Sequence, residues 1–242
     1  MSTTYANCEK PSGSWIKEEV YEINEDPETL IGELLKMPSE TISNEIAKIL
    51  GRFPNTYTFT KSMAERIMSK HSGDLPFVIY RPSIIGCAWQ EPSPGWIDTL
   101  AAAGGILSGV SVGICNTTYG DLNTVLDIVP VDFVANAILM GTAVKANKKG
   151  TIVLQGASGA VNPLNLHTYF DSLIEYLKTQ PYDNQWFVPS MLMTNNKKYY
   201  EWYKYINNTV PMQIYGVMGK MTGSTYYHKE AMKIGKAMYR SD

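Results

Sequence analysis

Two short, unbroken apolar runs limit the fold of this chain more than any other feature. Phe77-Val78-Ile79-Tyr80 lies between Pro76 and Arg81-Pro82, and Thr151-Ile152-Val153-Leu154-Gln155 follows Gly150. A strand with one wet face alternates apolar and polar residues. A run without alternation suits a strand covered on both faces, as in a parallel α/β sheet. Helical patterns surround both runs. After Pro27, Leu30, Ile31, Leu34 and Leu35 recur at helical spacing; after Ser39 the same holds for Ile42, Ile46, Ile49 and Leu50, until Gly51 and Pro54. Asn55 is a good N-cap for a third helix through Tyr57, Lys61, Ala64 and Ile67 to Lys70. Asp127 to Asp132 reads as an extended piece feeding a helix from Phe133 to Ala146, with Asp132 as its N-cap. This alternation predicts βαβ units and an α/β, doubly wound parallel sheet. Beyond residue 165, Tyr169, Leu173 and Leu177 sit at i, i+4 and i+8 and predict a mainly helical segment.

Composition removes several function classes. Hydrophobic residues make up 44% of the chain, too many for disorder. Twenty-one basic against 23 acidic residues give no bulk field toward nucleic acid or an anionic membrane. The three cysteines (Cys8, Cys87, Cys115) and three histidines (His71, His167, His228) lie far apart, without metal-ligand spacing or a disulfide framework. The start MSTTYANCEK has neither the basic nor the apolar region of a signal peptide. Residues 99–115 carry no charge, with Gly105, Gly109 and Gly113 at GxxxG spacing. That run is diluted by serine and glycine and falls short of the ~20 mostly apolar residues a spanning helix needs, so a Gly-rich loop and short helix are expected. The charge is uneven: residues 1–52 hold ten acidic and five basic side chains, residues 190–242 three and eight. Eleven of the 16 tyrosines follow residue 150. Two regions are expected, 1–163 and 164–242.

The chemistry centres on Tyr57-Thr58-Phe59-Thr60-Lys61. Spacing of four on a helix puts phenol and ammonium on one face, one turn apart. A phenol of pKa near ~10 is a poor acid at neutral pH, and a neighbouring cation lowers that value. Such a tyrosine can give a proton to a carbonyl oxygen as hydride reaches the carbon. The spacing alone is weak, since Tyr200 and Lys204 repeat it. Context favours Tyr57: the hydroxyls Ser2-Thr3 lie upstream, and Arg81-Pro82-Ser83-Ile84 follows a strand, where ligands of open α/β sheets bind.

In that order, hydroxyl, YxxxK, strand and RPS, the chain resembles extended short-chain dehydrogenases/reductases. Further segments narrow the likeness: STTYANC at the start, Glu18-Glu19-Val20-Tyr21, PNTYTFTK around Tyr57, Arg81-Pro82-Ser83-Ile84-Ile85-Gly86, Glu91-Pro92-Ser93-Pro94-Gly95-Trp96-Ile97-Asp98, Val129-Pro130-Val131-Asp132, Gly156-Ala157-Ser158-Gly159 with Asn162-Pro163, and Met221-Thr222-Gly223. Together they resemble fatty acyl-CoA reductases over essentially the whole chain. The resemblance implies NADPH-dependent reduction of a long-chain acyl-CoA, through an aldehyde, to a fatty alcohol. It implies a partial Rossmann-like reductase domain over 1–163 and an incomplete, mainly helical substrate segment over 164–242. Thr3 would match the carbonyl-orienting hydroxyl, with Ser2 the alternative, and Tyr57 the proton donor. Lys61 would partner Tyr57 and the cofactor ribose, and Pro82, Ser83 and Ile84 the loop beside the nicotinamide. Family members act at the cytosolic face of peroxisomes or the endoplasmic reticulum. Trp89, Trp96 and Trp186 are expected walls for the acyl chain.

Departures from the family are also legible. Relatives begin with a strand and a GxxGxxG turn that holds the cofactor pyrophosphate at a helix N-terminus, and these 242 residues have no such turn, so a fragment inactive alone is expected. Gly156 to Gly159 imitates that turn after a strand, but Asn162 and Pro163 replace its continuation. Ile114-Cys115-Asn116 stands where relatives carry a basic residue. Two other readings remain: an extended reductase or epimerase for nucleotide sugars, which gives no reason for EPSPGWID, and a non-catalytic lipid-binding product.

Overall fold

The computed structural model describes residues 1–217 except 12, 24–25, 100–102, 114, 122, 182–187, 212 and 215–216. In chain order its elements are a 3-10 turn (Thr4–Asn7), α1 (Pro27–Leu34), α2 (Ser39–Leu50), α3 (Thr56–Ser72), β1 (Phe77–Pro82), β2 (Ile84–Gly86), α4 (Ala103–Ser111), β3 (Thr117–Tyr119), β4 (Ile128–Pro130), α5 (Val131–Lys145), β5 (Thr151–Gly156), α6 (Leu166–Thr179), β6 (Leu192–Thr194), α7 (Lys197–Lys204) and a π-turn (Tyr205–Thr209). The fold is α/β, and its strand pairs are all parallel among the described residues: β1 with β5, β2 with β4, and β3 with β6. The two apolar runs are the first of these pairs, with Phe77 opposite Thr151 and Pro82 opposite Gly156.

Two compact units are present. One comprises Met1–Asp98 and Asp127–Pro163; the other comprises Thr99–Leu126 and Leu164–Asp242. The second therefore gathers residues from both sides of α5 and β5.

In the first unit, α5 lies on the β1–β5 pair. Tyr80, Val129 and Val134 form a buried cluster, with Ile85, Ala137, Ile138 and Leu154 against it. Gly141 allows the close approach, since a Cβ there would lie 3.0 Å from a Leu154 methyl. A second cluster joins the helices: Phe53 and Phe59 meet edge to face at 5.4 Å, beside Met63, Leu30, Ile49 and Leu50. Each fully buried side chain of this size contributes about 1.5–3 kcal/mol. Asp26 caps α1 by accepting from the Thr29 N–H, and Lys70 of α3 bridges to Asp26 and Glu28.

In the second unit, Val110 of α4 packs with Phe170 and Leu177 of α6, and Cys115, Met191 and Met193 close over them. Burial pushes the Cys115 thiol upward, so it is an inert core group. The expected stripe Tyr169, Leu173, Leu177 faces this core. The region is less purely helical than the spacing suggests: β6 pairs with β3, a partner some 75 residues away that periodicity cannot reveal. The uncharged stretch holds α4, nine residues long, a rise of roughly 14 Å against a ~30 Å bilayer core. No helix among the described residues is long and apolar enough to cross a membrane.

Candidate active site

Asn55 starts α3 as the sequence suggests. Its extended backbone and side-chain oxygen, which accepts from the Thr58 N–H at 2.9 Å, stop the chain from turning earlier. From there Thr58, Phe59, Ser62, Met63, Glu65 and Arg66 turn inward. Tyr57 is left 54% exposed on another face. Lys61 lies over the Tyr57 ring, its Nζ 5.8 Å from the centroid, and donates to the carbonyl oxygen of Met1 at 3.5 Å.

That second contact joins helix and N-terminal segment. The Ser2 N–H donates to the Tyr80 carbonyl at 2.7 Å, which lays residues 1–3 beside β1. Thr3 is buried, and its hydroxyl accepts from the Tyr5 N–H at 3.3 Å, leaving its own proton to donate. The Ser2 hydroxyl is buried with no hydrogen-bond partner among the described residues. Met1, Ser2 and Lys61 line a cleft of about 210 Å³ with Glu65 and the start of β1. Three segments far apart in sequence, 1–3, 57–61 and 77–80, thus meet.

The helix is held to the strand by Arg81, which is fully buried and missing from the expected site. Its Nε donates to Glu65 at 2.9 Å and its Nη2 at 2.6 Å, a paired contact with one carboxylate. Arg81 also donates to the carbonyls of Lys17 and Glu19, and Gln155, opposite it on β5, to the carbonyl of Ile16. Glu65 is four residues after Lys61, so this pair sets the turn of α3 that presents Tyr57 and Lys61. An apolar strand ending in arginine, with a glutamate at the next helical turn, was the available signal.

Pro82, Ser83 and Ile84 form a crossover rather than an open loop. Pro82 ends β1, the Ser83 N–H donates to the Gly156 carbonyl, and Ile84 begins β2 by donating to Asp127. No hydrogen bond among the described residues joins them to Tyr57 or Lys61. The turn at Gly156 to Gly159 has its donors in use: the N–H groups of Ser158 and Gly159 and the Ser158 hydroxyl all reach the Asp127 carboxylate at 3.0–3.1 Å. Burial works against the Asp127 charge, and these donors outweigh it, holding the carboxyl below its usual range. Burial first, and this carboxylate second, push the Tyr5 phenol up. Gly156 itself is needed because a Cβ there would overlap the Tyr80 hydroxyl.

Asp132 is not the N-cap expected of it. Pro130 occupies that position, and α5 starts at Val131. The Asp132 carboxylate accepts instead from the N–H groups of Trp89, Gln90 and Glu91 at 3.0, 2.9 and 3.2 Å. Burial opposes its charge, and these bonds bring it down to about 2. It thereby anchors the loop that carries EPSPGW. On that loop Trp89 and Trp96 are 63% and 39% exposed; Trp186 lies outside the described residues.

Parallel strand pairs, a Tyr-x-x-x-Lys helix tied to β1 and a buried hydroxyl segment beside it thus share one unit of an α/β domain. A family model described as male sterility protein, an NAD-binding family, matches residues 1–138. The chain belongs to this family of nicotinamide-cofactor-binding proteins. It is 32% identical over 241 residues to fatty acyl-CoA reductase 1 of Xenopus laevis, covering 98% of this chain and 46% of that protein. The human fatty acyl-CoA reductase 1 is 31% identical over the same shares, and the mouse fatty acyl-CoA reductase 2 is 29% identical over 92% and 43%. The chain spans about half the length of the curated relatives it matches. Among solved structures, the terminal R domain from the myxalamid PKS-NRPS biosynthetic pathway overlaps with a TM-score of 0.46 at 14% identity, over 96% of this chain and 44% of that one.

Proposed function

We propose that this chain carries the proton-donating half of an NADPH-dependent reductase that converts a long-chain acyl-CoA, through the aldehyde, to a fatty alcohol. The observation that supports this most is the meeting of Lys61 with both Tyr57 and the backbone beside Ser2 and Thr3. Tyr57 donates its proton to the carbonyl oxygen, with the Lys61 ammonium one helical turn along and over its ring. Thr3, or Ser2 with its unpartnered hydroxyl, holds that oxygen in place. The bound dinucleotide supplies the hydride. Lys61 would hold its ribose, and Pro82, Ser83 and Ile84 its nicotinamide. The residues present fit that end of the cofactor; at the Gly156–Gly159 turn the amides already serve Asp127 and cannot cradle a pyrophosphate. On this reading, residues 1–163 work as the reductase domain and 164–242 as the substrate segment, at the cytosolic face of a peroxisome or the endoplasmic reticulum.

The test uses a chimera in which a GxxGxxG nucleotide-binding segment precedes Met1. Incubated with NADPH and palmitoyl-CoA, it is expected to release hexadecanol, detected by gas chromatography. A folded chimera that binds NADPH yet yields neither aldehyde nor alcohol overturns the reading. For the 242-residue chain alone, weak NADPH binding is expected.

A further inference from the structure

The second unit presents aromatic rings and cations together on one exposed face. Helix α7 rests on β3 through Tyr200, whose ring meets Tyr119 at 5.9 Å. Its other side carries Tyr199, Trp202, Tyr205 and Ile206, all exposed. The Tyr199 and Trp202 rings stack there, 5.9 Å apart and 21° from parallel. Helical turns continue past the π-turn, and Ile214 and Val217 are exposed on them. Tyr199, Trp202, Ile206, Ile214 and Val217 follow at steps of three, four, eight and three, which lays them along one stripe of the helix. Lys197 and Lys198 are exposed in the first turn of α7, with no ion pair among the described residues. The helix itself gives no reason for them, because its amino end carries partial positive charge and favours acids. Lys198 lies one turn before Trp202, so charge and ring share a face. Glu201 is the only carboxylate from residue 190 to 229, and residues 190–242 hold eight basic side chains against three acidic.

We propose that this face of α7 and of the turns after it lies on a membrane surface that bears anionic phospholipid. The helix rests in the plane of the headgroups: Tyr199, Trp202 and Tyr205 enter the boundary between headgroup and acyl chain, and Lys197 and Lys198 meet the lipid phosphates and carboxylates. Trp and Tyr suit that depth, since each has an apolar body and a polar tip. A soluble anion would use the lysines and leave the rings in water. A protein partner draws most of its binding from a cluster at the centre of a patch, whereas these residues are strung along an axis. No helix among the described residues is long and apolar enough to cross a bilayer, so the contact is one of lying on the surface. The assignment uses nothing of the reductase chemistry, and its failure leaves that reading as it stands.

The experiment floats the full 242-residue chain with vesicles of phosphatidylcholine alone and of phosphatidylcholine with about one-third phosphatidylserine. The chain is expected to float with the anionic vesicles and to detach as salt rises. Lys197→Gln with Lys198→Gln should weaken the partition about twentyfold, at about fivefold per lysine. Trp202→Ala should weaken it about tenfold. Trp15→Ala removes an 83% exposed ring from the other unit and should change it by less than about twofold. Brominated phosphatidylcholine in the anionic vesicles should quench tryptophan fluorescence, and Trp202→Phe should lose part of that quenching while Trp15→Phe keeps it. Thermal melts check each fold, and Trp202→Gln replaces Trp202→Ala where the latter does not fold. No flotation, equal flotation with both vesicles, or equal losses at Trp15 and Trp202 each overturns the assignment. So does a dimer in sedimentation that Trp202→Ala dissolves while the parent ignores vesicles, because the face would then belong to a second copy.

Discussion

The molecule contains the same motif twice, on α3 and on α7. Each helix starts at an asparagine whose side chain accepts an N–H three residues on, Asn55 from Thr58 at 2.9 Å and Asn196 from Tyr199 at 3.1 Å. Each carries tyrosine and lysine four apart, with the ammonium 5.8 Å from the Tyr57 ring and 5.6 Å from the Tyr200 ring. Local geometry therefore does not separate them. Their surroundings do. Seven residues of α3 are buried, and Arg81 fixes its Glu65 from the strand. Helix α7 buries none, and Tyr200 lies against the Tyr119 ring at 5.9 Å. A shared spacing makes a shared pair, and only the neighbours give the pair a task.

The largest expected effect puts that contrast to work on chemistry. In the chimera, Tyr57→Phe keeps the ring and removes the proton, and should lower turnover by about 10²–10⁴-fold. Tyr200→Phe should change it by less than about twofold. Similar losses at both, or none at Tyr57, would mean that the burial around α3 confers nothing.

Next comes the clamp. Arg81→Met leaves Glu65 buried without its partner and should cost about 3–5 kcal/mol in urea unfolding. Adding Glu65→Leu removes the stranded charge and should recover most of the loss. Helix α7 has no buried residue to clamp, and Trp202→Ala, at a 57% exposed site, should be nearly silent. An Arg81→Met chain as stable as the parent would dissolve the proposed difference between the helices.

The caps give a smaller and sharper comparison. Asn55→Ala and Asn196→Ala remove equivalent bonds, worth about 1 kcal/mol each to the helix concerned. Because α3 is packed into its unit, the first should shift the cooperative unfolding midpoint. The second should appear only as faster amide exchange across α7. Equal midpoint shifts would show that α7 is coupled more tightly than its exposure indicates.

The smallest effect concerns pH. The Asp132 carboxyl sits at about 2 when folded, below its ordinary 3.8. A depressed folded value means its contribution is complete above about pH 4 and is lost as pH falls toward 2. Asp132→Asn should flatten that part of the stability profile while leaving the neutral region's slope alone. An identical acid limb in both proteins would argue that the EPSPGW loop hangs on something else.

Much of this was legible in the residues. The unbroken runs at 77–80 and 151–155 are buried parallel partners because covered strands have no wet face to mark. Asn55 caps because its side chain reaches an N–H three residues on, a local event. YxxxK brings phenol and ammonium together through helix pitch alone. These features depend on spans of a turn or two, and the sequence by itself determined them. Tertiary structure decided the rest. Asp127 and Asp132 look like strand and cap residues in the sequence, yet their carboxylates serve amides some 30 and 40 positions away. Arg81 looks like part of a cofactor loop and is instead a buried clamp. In each case a charge satisfied itself with whatever donor or acceptor the chain brought near, and burial made that choice binding, since an unpaired charge out of water costs more than any local preference returns.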